Sequence, residues 1–402
     1  MPNTLLTIQM RTKEALRILE NQLTFTKYIT RIYDDQFARK DAKIGNSLDI
    51  RKPPRFIGRT GQGLSLEDVT ETFVPLTLDT QFGVDVVFSS QELLLDINAF
   101  SQKFLKSRVA TIANKVDRDG LLLYREVYNA IGTPGTVPAT RLLYLQAGQR
   151  LDEEAAPNDD DRSVVVSPAM QATIVNTDAA LFSPAKSISD QYLYGKKGHA
   201  LGFRFSMDQN VATHTSGTFT AGSTPLTNGA SQTGNSLITD GWANSTAIFS
   251  RGDIFTIGIN AVNPQSRDNT NALRQFVVTD DVTSDGSGNA TLPIEPAMTV
   301  SGPFQTVASL AADGVAITPL GAQLTNSPQG LAFHPEAFAM AMVDLPLYRG
   351  THAASRVSDS QMGLSIRTIE DYDINQDRAP CRLDVLYGHV TLYPELAVRM
   401  VS

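Results

Sequence analysis

Apolar residues along this chain fall into three rhythms. Over residues 10–24, Ala15, Leu16, Ile18, Leu19 and Leu23 recur at helical spacing and predict a short helix, with no helix near in sequence for its stripe to pack on. From 91 to 130, Leu94, Ile97, Phe100, Phe104, Val109, Ile112, Val116, Leu123 and Val127 follow mostly at intervals of three or four. This predicts one long amphipathic helix that starts at Ser90-Gln91-Glu92, bends or breaks near Gly120 and stops at Gly132-Thr133-Pro134-Gly135. At about 1.5 Å per residue it would reach about 60 Å, a spine rather than a core helix.

The second rhythm is alternation. Residues 48–88 read as a β-hairpin with a long open tip: Leu48-Asp49-Ile50-Arg51 going out, Pro53-Pro54 ending the ladder, Gly58, Gly61 and Gly63 at the tip, and a return through Phe73, Thr77 and Val84-Asp85-Val86. A two-stranded excursion of this length buries little by itself and needs a partner surface. Residues 140–205 then mix helices at 141–152 and 169–181 with strands at 163–166 and 201–205.

The third rhythm begins near residue 211, where Ser, Thr, Gly and Asn dominate to about 330 and the basic residues are Arg251, Arg267 and Arg274. Strand patterns at 253–262, 273–280, 290–294, 304–310 and 315–319, with a turn at 284–289, predict an antiparallel β-barrel or sandwich inserted into an α/β body. From Leu331 the body resumes, with a short helix at 335–342, strands at 364–369 and 382–391, and an apolar run at 396–401.

Composition changes this picture in a few places. The 402 residues allow two to three structural units, and 42% hydrophobic content is ample for their cores. The single cysteine, Cys381, can make neither an internal disulfide nor a Cys-rich zinc site, which fits a reducing compartment. No window resembles a membrane span, and Leu5-Leu6-Thr7-Ile8 is too soon followed by Arg11 and Lys13 for a secretory leader, so a soluble intracellular chain is expected. Net charge is −8, yet residues 1–60 hold twelve basic against six acidic residues. An acidic body with a basic leading segment is poorly suited to nucleic acid and well suited to a second copy of itself.

Catalytic chemistry finds no constellation. His199, His214, His334, His352 and His389 show no metal-ligand spacing, so no metal and no cofactor is expected. Asp281 to Gly286 resembles a calcium loop, but Leu292 stands where the bidentate Glu belongs. The Gly58–Gly63 glycines lack the Lys-Ser/Thr of a phosphate loop. Asp371 and Asp373 read as a solvated hairpin end, and Arg251-Gly252-Asp253 as a strand entry. Asn244-Ser245-Thr246 and Asn289-Ala290-Thr291 match the glycosylation sequon without a leader to make it relevant, and Cys381 has no base partner. The expectation is a protein that is not an enzyme. A secreted or surface adhesion or carbohydrate-binding protein using residues 214–330 is the alternative reading.

Longer motifs carry a resemblance. Asn3-Thr4-Leu5-Leu6, Tyr33-Asp34-Asp35-Gln36-Phe37, Ile50-Arg51-Lys52-Pro53-Pro54-Arg55-Phe56, Gly132-Thr133-Pro134-Gly135-Thr136, Asp208-Gln209-Asn210, Asp371-Tyr372-Asp373-Ile374 and Arg382-Leu383-Asp384-Val385-Leu386-Tyr387-Gly388 resemble the major coat proteins of P22-type tailed bacteriophages. The similarity is strongest over 3–137 and 360–400 and weakest over 216–330. It implies an α+β, HK97-like capsid fold: an N-terminal arm (1–47), an extended loop with flanking peripheral-domain strands (48–88), a spine helix (89–137), an axial domain in two parts (138–213 and 331–402) and an inserted antiparallel β-barrel domain (214–330). It further implies a virion capsid protein assembled in the bacterial cytoplasm as hexamers and pentamers of an icosahedral shell. Its partners would be a scaffolding protein, a portal protein and a decoration protein, around double-stranded DNA that it encloses without reading its sequence. No membrane contact and no isopeptide cross-link is implied. Arg51, Lys52, Arg55 and Arg59 are the expected inter-subunit contacts, stiffened by Pro53-Pro54.

Overall fold

The computed structural model describes residues 8–31, 47–64, 66–69, 71–89, 100–178, 198–219, 224–348, 350–359 and 363–402. In chain order they form helix α1 (Ile8–Gln22), strands β1 (Ser47–Lys52), β2 (Thr72–Thr77) and β3 (Thr80–Ser89), and helix α2 (Phe100–Leu121). Next come β4 (Ala130–Gly132), α3 (Arg141–Glu153), β5 (Ser163–Val166), α4 (Pro168–Asp178), β6 (His199–Ala200), β7 (Phe203–Met207) and β8 (Thr213–Thr215). A run of strands follows: β9 (Leu226–Thr227), β10 (Gly234–Asp240), β11 (Ala247–Phe249), β12 (Ile254–Val262), β13 (Asn269–Val278), β14 (Val282–Thr283), β15 (Ala290–Met298) and β16 (Thr318–Pro319). The remainder is β17 (Asn326–Phe333), β18 (Phe338–Met342), β19 (Ala353–Asp359), β20 (Leu364–Glu370), β21 (Arg378–Thr391) and β22 (Ala397–Val401). The fold is mixed α+β, in two compact units.

The first unit draws on residues 1–51, 73–120 and 338–390. Its sheet runs β18-β21-β20-β19, with β3 pairing antiparallel to β21 from Thr80↔Tyr387 to Ser89↔Arg378. The return limb of the expected hairpin is therefore two strands: β2 pairs with β1, and β3 joins another sheet. Helix α1 does have a partner. Its stripe of Thr12, Ala15, Leu16, Ile18 and Leu19 is buried, Arg11 pairs with Glu370 at 2.8 Å, and the hydroxyl of Thr12 donates to that of Thr368 at 3.2 Å. Sequence distance hid this, because the covering strands lie some 350 residues away.

Helix α2 breaks one residue past Gly120, within the run expected to be helical. It ends at Leu121 and continues as a 3-10 turn, Leu122–Glu126; the expected start at Ser90-Gln91-Glu92 lies outside the described residues. Its described buried face is Val109, Ile112, Ala113 and Val116. Arg108 donates to the carbonyls of Val84 (2.8 Å) and Cys381 (3.0 Å), gripping two neighbouring strands. The buried carboxylate of Asp117 accepts from the amides of Thr24 (2.6 Å) and Thr26 (3.0 Å) and from the Thr26 hydroxyl (2.6 Å). A buried carboxylate with three donors is satisfied rather than costly. Gly120 is small for a reason: a Cβ there would lie 2.7 Å from the Phe25 ring, itself 5.5 Å from the ring of Phe338.

Residues 335–342 correct the expected helix. They form a 3-10 turn, Pro335–Ala337, and then strand β18, every residue of which is buried. Phe, Ala and Met suit a helix by propensity, but an apolar run covered on both faces satisfies its backbone equally well in a sheet.

The second unit draws on residues 52–72, 121–337 and 391–402. Its first sheet runs β4-β22-β17-β5-β7-β6, with β8 on β17, and joins parallel pairs (β4/β22, β5/β7) to antiparallel ones. Strands β5 and β22 are buried at every residue, as strands covered on both faces must be. Helix α4 crosses closely enough that a Cβ on Gly330 would come within 3.1 Å of the Met170 sulfur.

The second sheet of this unit is the Ser/Thr-rich segment, in the order β16-β12-β13-β15-β10-β9. It curls: the amide of Thr227 donates to Val315 (2.9 Å) and that of Ile317 to Pro225 (3.0 Å), drawing edge strand β9 towards the segment leading into β16. Alternation sorts the side chains. Phe255, Ile257, Ile259, Phe276 and Val278 face inward to a core with Trp242, Phe249, Leu292 and Ile294, while Ile254 and Val277 face outward onto Tyr128, Ala130 and Val401. The strand expected at 304–310 is reduced to a bridge between Ala261 and Val307, and that at 315–319 to Thr318–Pro319.

His389 provides a pH handle on the first unit. Its Nε2 is enclosed without a hydrogen bond, and burial lowers the imidazole from 6.5 to about 4 against the opposing pull of Asp119 and Asp79. The unfolded chain takes up this proton below about 6.5 and the folded unit only near 4, so stability is lost as pH falls through that window. In His389→Gln this part of the loss should vanish; the difference between the two curves of urea midpoint against pH measures it, and parallel curves would contradict it.

Candidate functional site

The basic residues that the sequence puts forward as contacts lie at the end of β1 and on the loop joining it to β2. Pro53-Pro54 keeps its outgoing limb extended. The basic residues expected to reach a neighbour are placed as follows. Arg51 lies with its guanidinium 5.8 Å from the centre of the Phe73 ring, and the Lys52 ammonium is 5.2 Å from that of Tyr393. Arg55 pairs with Glu395 at 2.7 Å and lies 5.6 Å from the Phe304 ring. Arg59 bonds the carbonyl of Gly61 inside the loop. All four thus have contacts within their own chain.

The exposed part of the loop carries large apolar side chains among its polar ones. Leu64 is 81% exposed, Leu66 86%, Val69 60% and Phe56 54%. Sequence reasoning dwelt on the basic residues and the glycines and passed over these. The signal was there in Leu64, Leu66 and Val69, which follow a glycine-rich stretch and belong to no helix or strand of their own. Two charged groups shape the same loop: the carboxylate of Glu67 accepts from the amides of Ile57 and Gly58, and Arg267, in the turn between β12 and β13, donates to the carbonyls of Phe56 and Ile57.

The root of the curled sheet is polar and buried. His214 joins the Tyr124 hydroxyl through Nδ1 (3.1 Å) and Asp253 through Nε2 (2.8 Å). The other oxygen of Asp253 accepts from the amides of Ser250 (2.7 Å) and Gly217 (3.0 Å). A carboxylate–imidazole–hydroxyl chain has the outline of a hydrolytic relay, but Asp253 is only 3% exposed and Tyr124 1%, and the carboxylate is taken up by backbone donors. It is a brace. Beside it Arg399, its guanidinium lowered to about 10 by burial, donates to the carbonyl of Gly252 at 2.8 Å. The Gln275 side chain bonds both the amide (2.7 Å) and the carbonyl (2.9 Å) of Ala130, standing in for a strand partner. Arg274 pairs with Glu154 at 2.7 Å over the Tyr128 ring, whose hydroxyl burial pushes upward.

The remaining sequence candidates go to structural work. Asp373 pairs with Arg378 and Asp371 accepts from the amide of Tyr372 at the β20–β21 turn. Asp285 accepts from the amides of Ser287 and Asn289. Burial raises the Cys381 thiol, despite Arg108 beside it. Asp253 of the Arg-Gly-Asp triplet is enclosed. Among the described residues no three His, Cys, Asp or Glu side chains are grouped to hold a metal, and no helix is long and apolar enough to cross a membrane.

Comparison with known proteins gives the chain its context. Residues 216–401, from the root of the curled sheet through β22, match the family model of the P22 coat protein, gene protein 5. The matched stretch spans just under half of the 402 residues. The match supports a structural component of a tailed-phage virion capsid over the adhesion reading. The match takes in 216–330, where the motif resemblance was weakest. No curated sequence matches the chain. Among solved structures it is similar to that of Mycobacterium phage Che8 (13% identity, 94% of this chain and 90% of that one, TM-score 0.46). It is also similar to the capsid of Ralstonia phage GP4 (9%, 94% and 88%, 0.45) and to the asymmetric unit of the bacteriophage PhiM1 mature capsid (13%, 94% and 86%, 0.43). At such identities and scores these likenesses decide nothing further.

The buried brace and the loop's exposed cation contacts should differ sharply in energetic weight. Asp253→Ala strands His214 and two amides and should cost about 3 kcal/mol or more, whereas Arg51→Ala, which removes an exposed contact with the Phe73 ring, should cost less than about 1 kcal/mol. Trp242, the single tryptophan and part of the curled sheet's core, reports the first loss by fluorescence in a urea titration. Equal effects would contradict the assignment.

Proposed function

We propose that this chain adopts the HK97-like capsid arrangement. In it 1–47 is the N-terminal arm, 48–88 the extended loop and its strands, 89–137 the spine, 138–213 with 331–402 the axial domain, and the curled sheet within 214–330 an inserted β-barrel. Capsid proteins assemble into shells. Here the loop between β1 and β2 lies over a neighbouring copy within hexamers and pentamers. Scaffolding, portal and decoration proteins are the further partners that the reading implies, with expansion of the shell as DNA is packaged.

One observation carries this reading: Leu64, Leu66 and Val69 stand in solvent on a loop held at its root, and that much exposed apolar surface marks a surface meant for contact. Arg51, Lys52, Arg55 and Arg59 are retained as inter-subunit contacts of the same loop. Exposed pairs contribute about 0–1 kcal/mol each, so their effect comes from repetition around the shell. The apolar residues supply more, about 1.5–3 kcal/mol for each leucine fully covered.

The double change Leu64→Ser, Leu66→Ser tests this. It should leave circular dichroism and thermal midpoint as in the wild type and raise the concentration needed for assembly at least about a hundredfold. Light scattering against protein concentration measures it. Unchanged assembly would contradict the loop's role.

A further inference from the structure

The outgoing limb of the loop is gripped from two sides at one place. On one side the guanidinium of Arg267 donates to the carbonyls of Phe56 (3.3 Å) and Ile57 (3.0 Å). On the other the carboxylate of Glu67 accepts from the amides of Ile57 and Gly58, each at 2.8 Å. A planar cation and a planar anion thus hold successive peptide groups between them, each through two bonds. Charge-assisted bonds of this paired kind are stronger than neutral ones and fix direction as well as distance.

Arg267 is itself held in place. Its backbone is left-handed, at φ 60°, a conformation that side-chain-bearing residues seldom adopt. The turn enforces it: the amide of Arg267 donates to Asn263 (2.8 Å), and the amide of Asn263 to Asp268 (3.0 Å). The Asn263 side-chain oxygen accepts from the amides of Gln265 (2.9 Å) and Ser266 (3.1 Å), and its NH2 donates to the carbonyl of Glu153 at the end of α3 (2.9 Å). A second contact lies at the residue just before Phe56, where Arg55 meets Phe304, also from the curled-sheet segment, while pairing with Glu395. Between these contacts a cleft of about 420 Å³ is lined by Pro53, Phe56, Pro264 and Gln265 among others.

We infer that the β12–β13 turn is a clamp by which the inserted sheet sets the pose of the loop, so that Leu64, Leu66 and Val69 are presented to a second copy of this chain. This rests on the reading that the loop contacts that copy. Arg267 is a positioning residue: it touches the loop's backbone and acts on the subunit contact through it. The inserted sheet then governs assembly from within its own subunit, besides any surface it offers outward. Lysine cannot replace the fork, because one ammonium reaches one carbonyl well and not two in parallel.

The test uses the full-length protein as wild type, Arg267→Ala and Arg267→Lys. Hydrogen exchange at the Ile57 and Gly58 amides and trypsin cleavage after Arg59 read the loop, and electron microscopy reads the assembled particles. Arg267→Ala should keep the wild-type circular dichroism, speed exchange at both amides and cleavage after Arg59 about tenfold, and yield fewer and less uniform shells; Arg267→Lys should fall between. Unchanged exchange and cleavage would overturn the clamp. Faster exchange with wild-type shells would overturn its control of the subunit contact. Wild-type protein that forms no shells would refute the subunit-contact reading instead, with exchange in Arg267→Ala still deciding whether the clamp exists.

Discussion

Strand β22 is the piece on which the second unit depends. Ala397, Val398, Met400 and Val401 are enclosed, with β17 antiparallel on one edge and β4 parallel on the other. Its single charged side chain, Arg399, is buried and reaches the Gly252 carbonyl at the root of the curled sheet. Val401 packs beneath Ile254 and Val277, the outward-facing residues of that sheet. One strand therefore completes the body and seats the insertion. The Tyr124 ring, 5.5 Å away, and the nearby Asp253 carboxylate offset part of the cost of burying that guanidinium.

The same logic divides the molecule's polar groups into two kinds. Enclosed ones, such as Asp117, Asp253 and the Arg367–Asp384 pair, are satisfied by several partners and hold elements in register. Those around the loop are weaker one by one and act on a segment with little core of its own. A coat protein needs both: a body that keeps its shape while many copies load it, and a surface that stays uncovered until another copy arrives. The clamp at Phe56–Gly58 links the two, since it ties a segment with exposed leucines to a turn fixed by five backbone and amide bonds.

Much of this was legible in the chain. The helices at 141–153 and 168–178, the buried strand at 163–166 and the strand-rich segment past 211 follow from spacing and composition. The resemblance to phage coat proteins rested on ordered motifs, and the family match over 216–401 confirms it from the stretch where those motifs were thinnest. What failed did so for physical reasons. Residues 338–342 have helical propensity and a strand's environment, and only the sheet around them decides. The strand expected at 304–310 has the right residue types but a single bridge, because its backbone groups are met by Thr299 and Asn260 in an irregular path. Arg267 could not be singled out, since nothing local marks a turn residue that serves a loop 210 positions away. Leu64 and Leu66 could have been: leucines in a glycine-rich turn are worth notice whenever no nearby pattern covers them.

The central claim is that this chain is completed by other copies of itself, and electron microscopy of the purified protein, alone and with its candidate scaffolding partner, tests it most directly. The account predicts closed shells of uniform diameter in at least one preparation, with Leu64 and Leu66 lying against a neighbouring copy once the particles are reconstructed. Monodisperse 43.6 kDa monomers in both preparations, with neither rings nor shells, would contradict it.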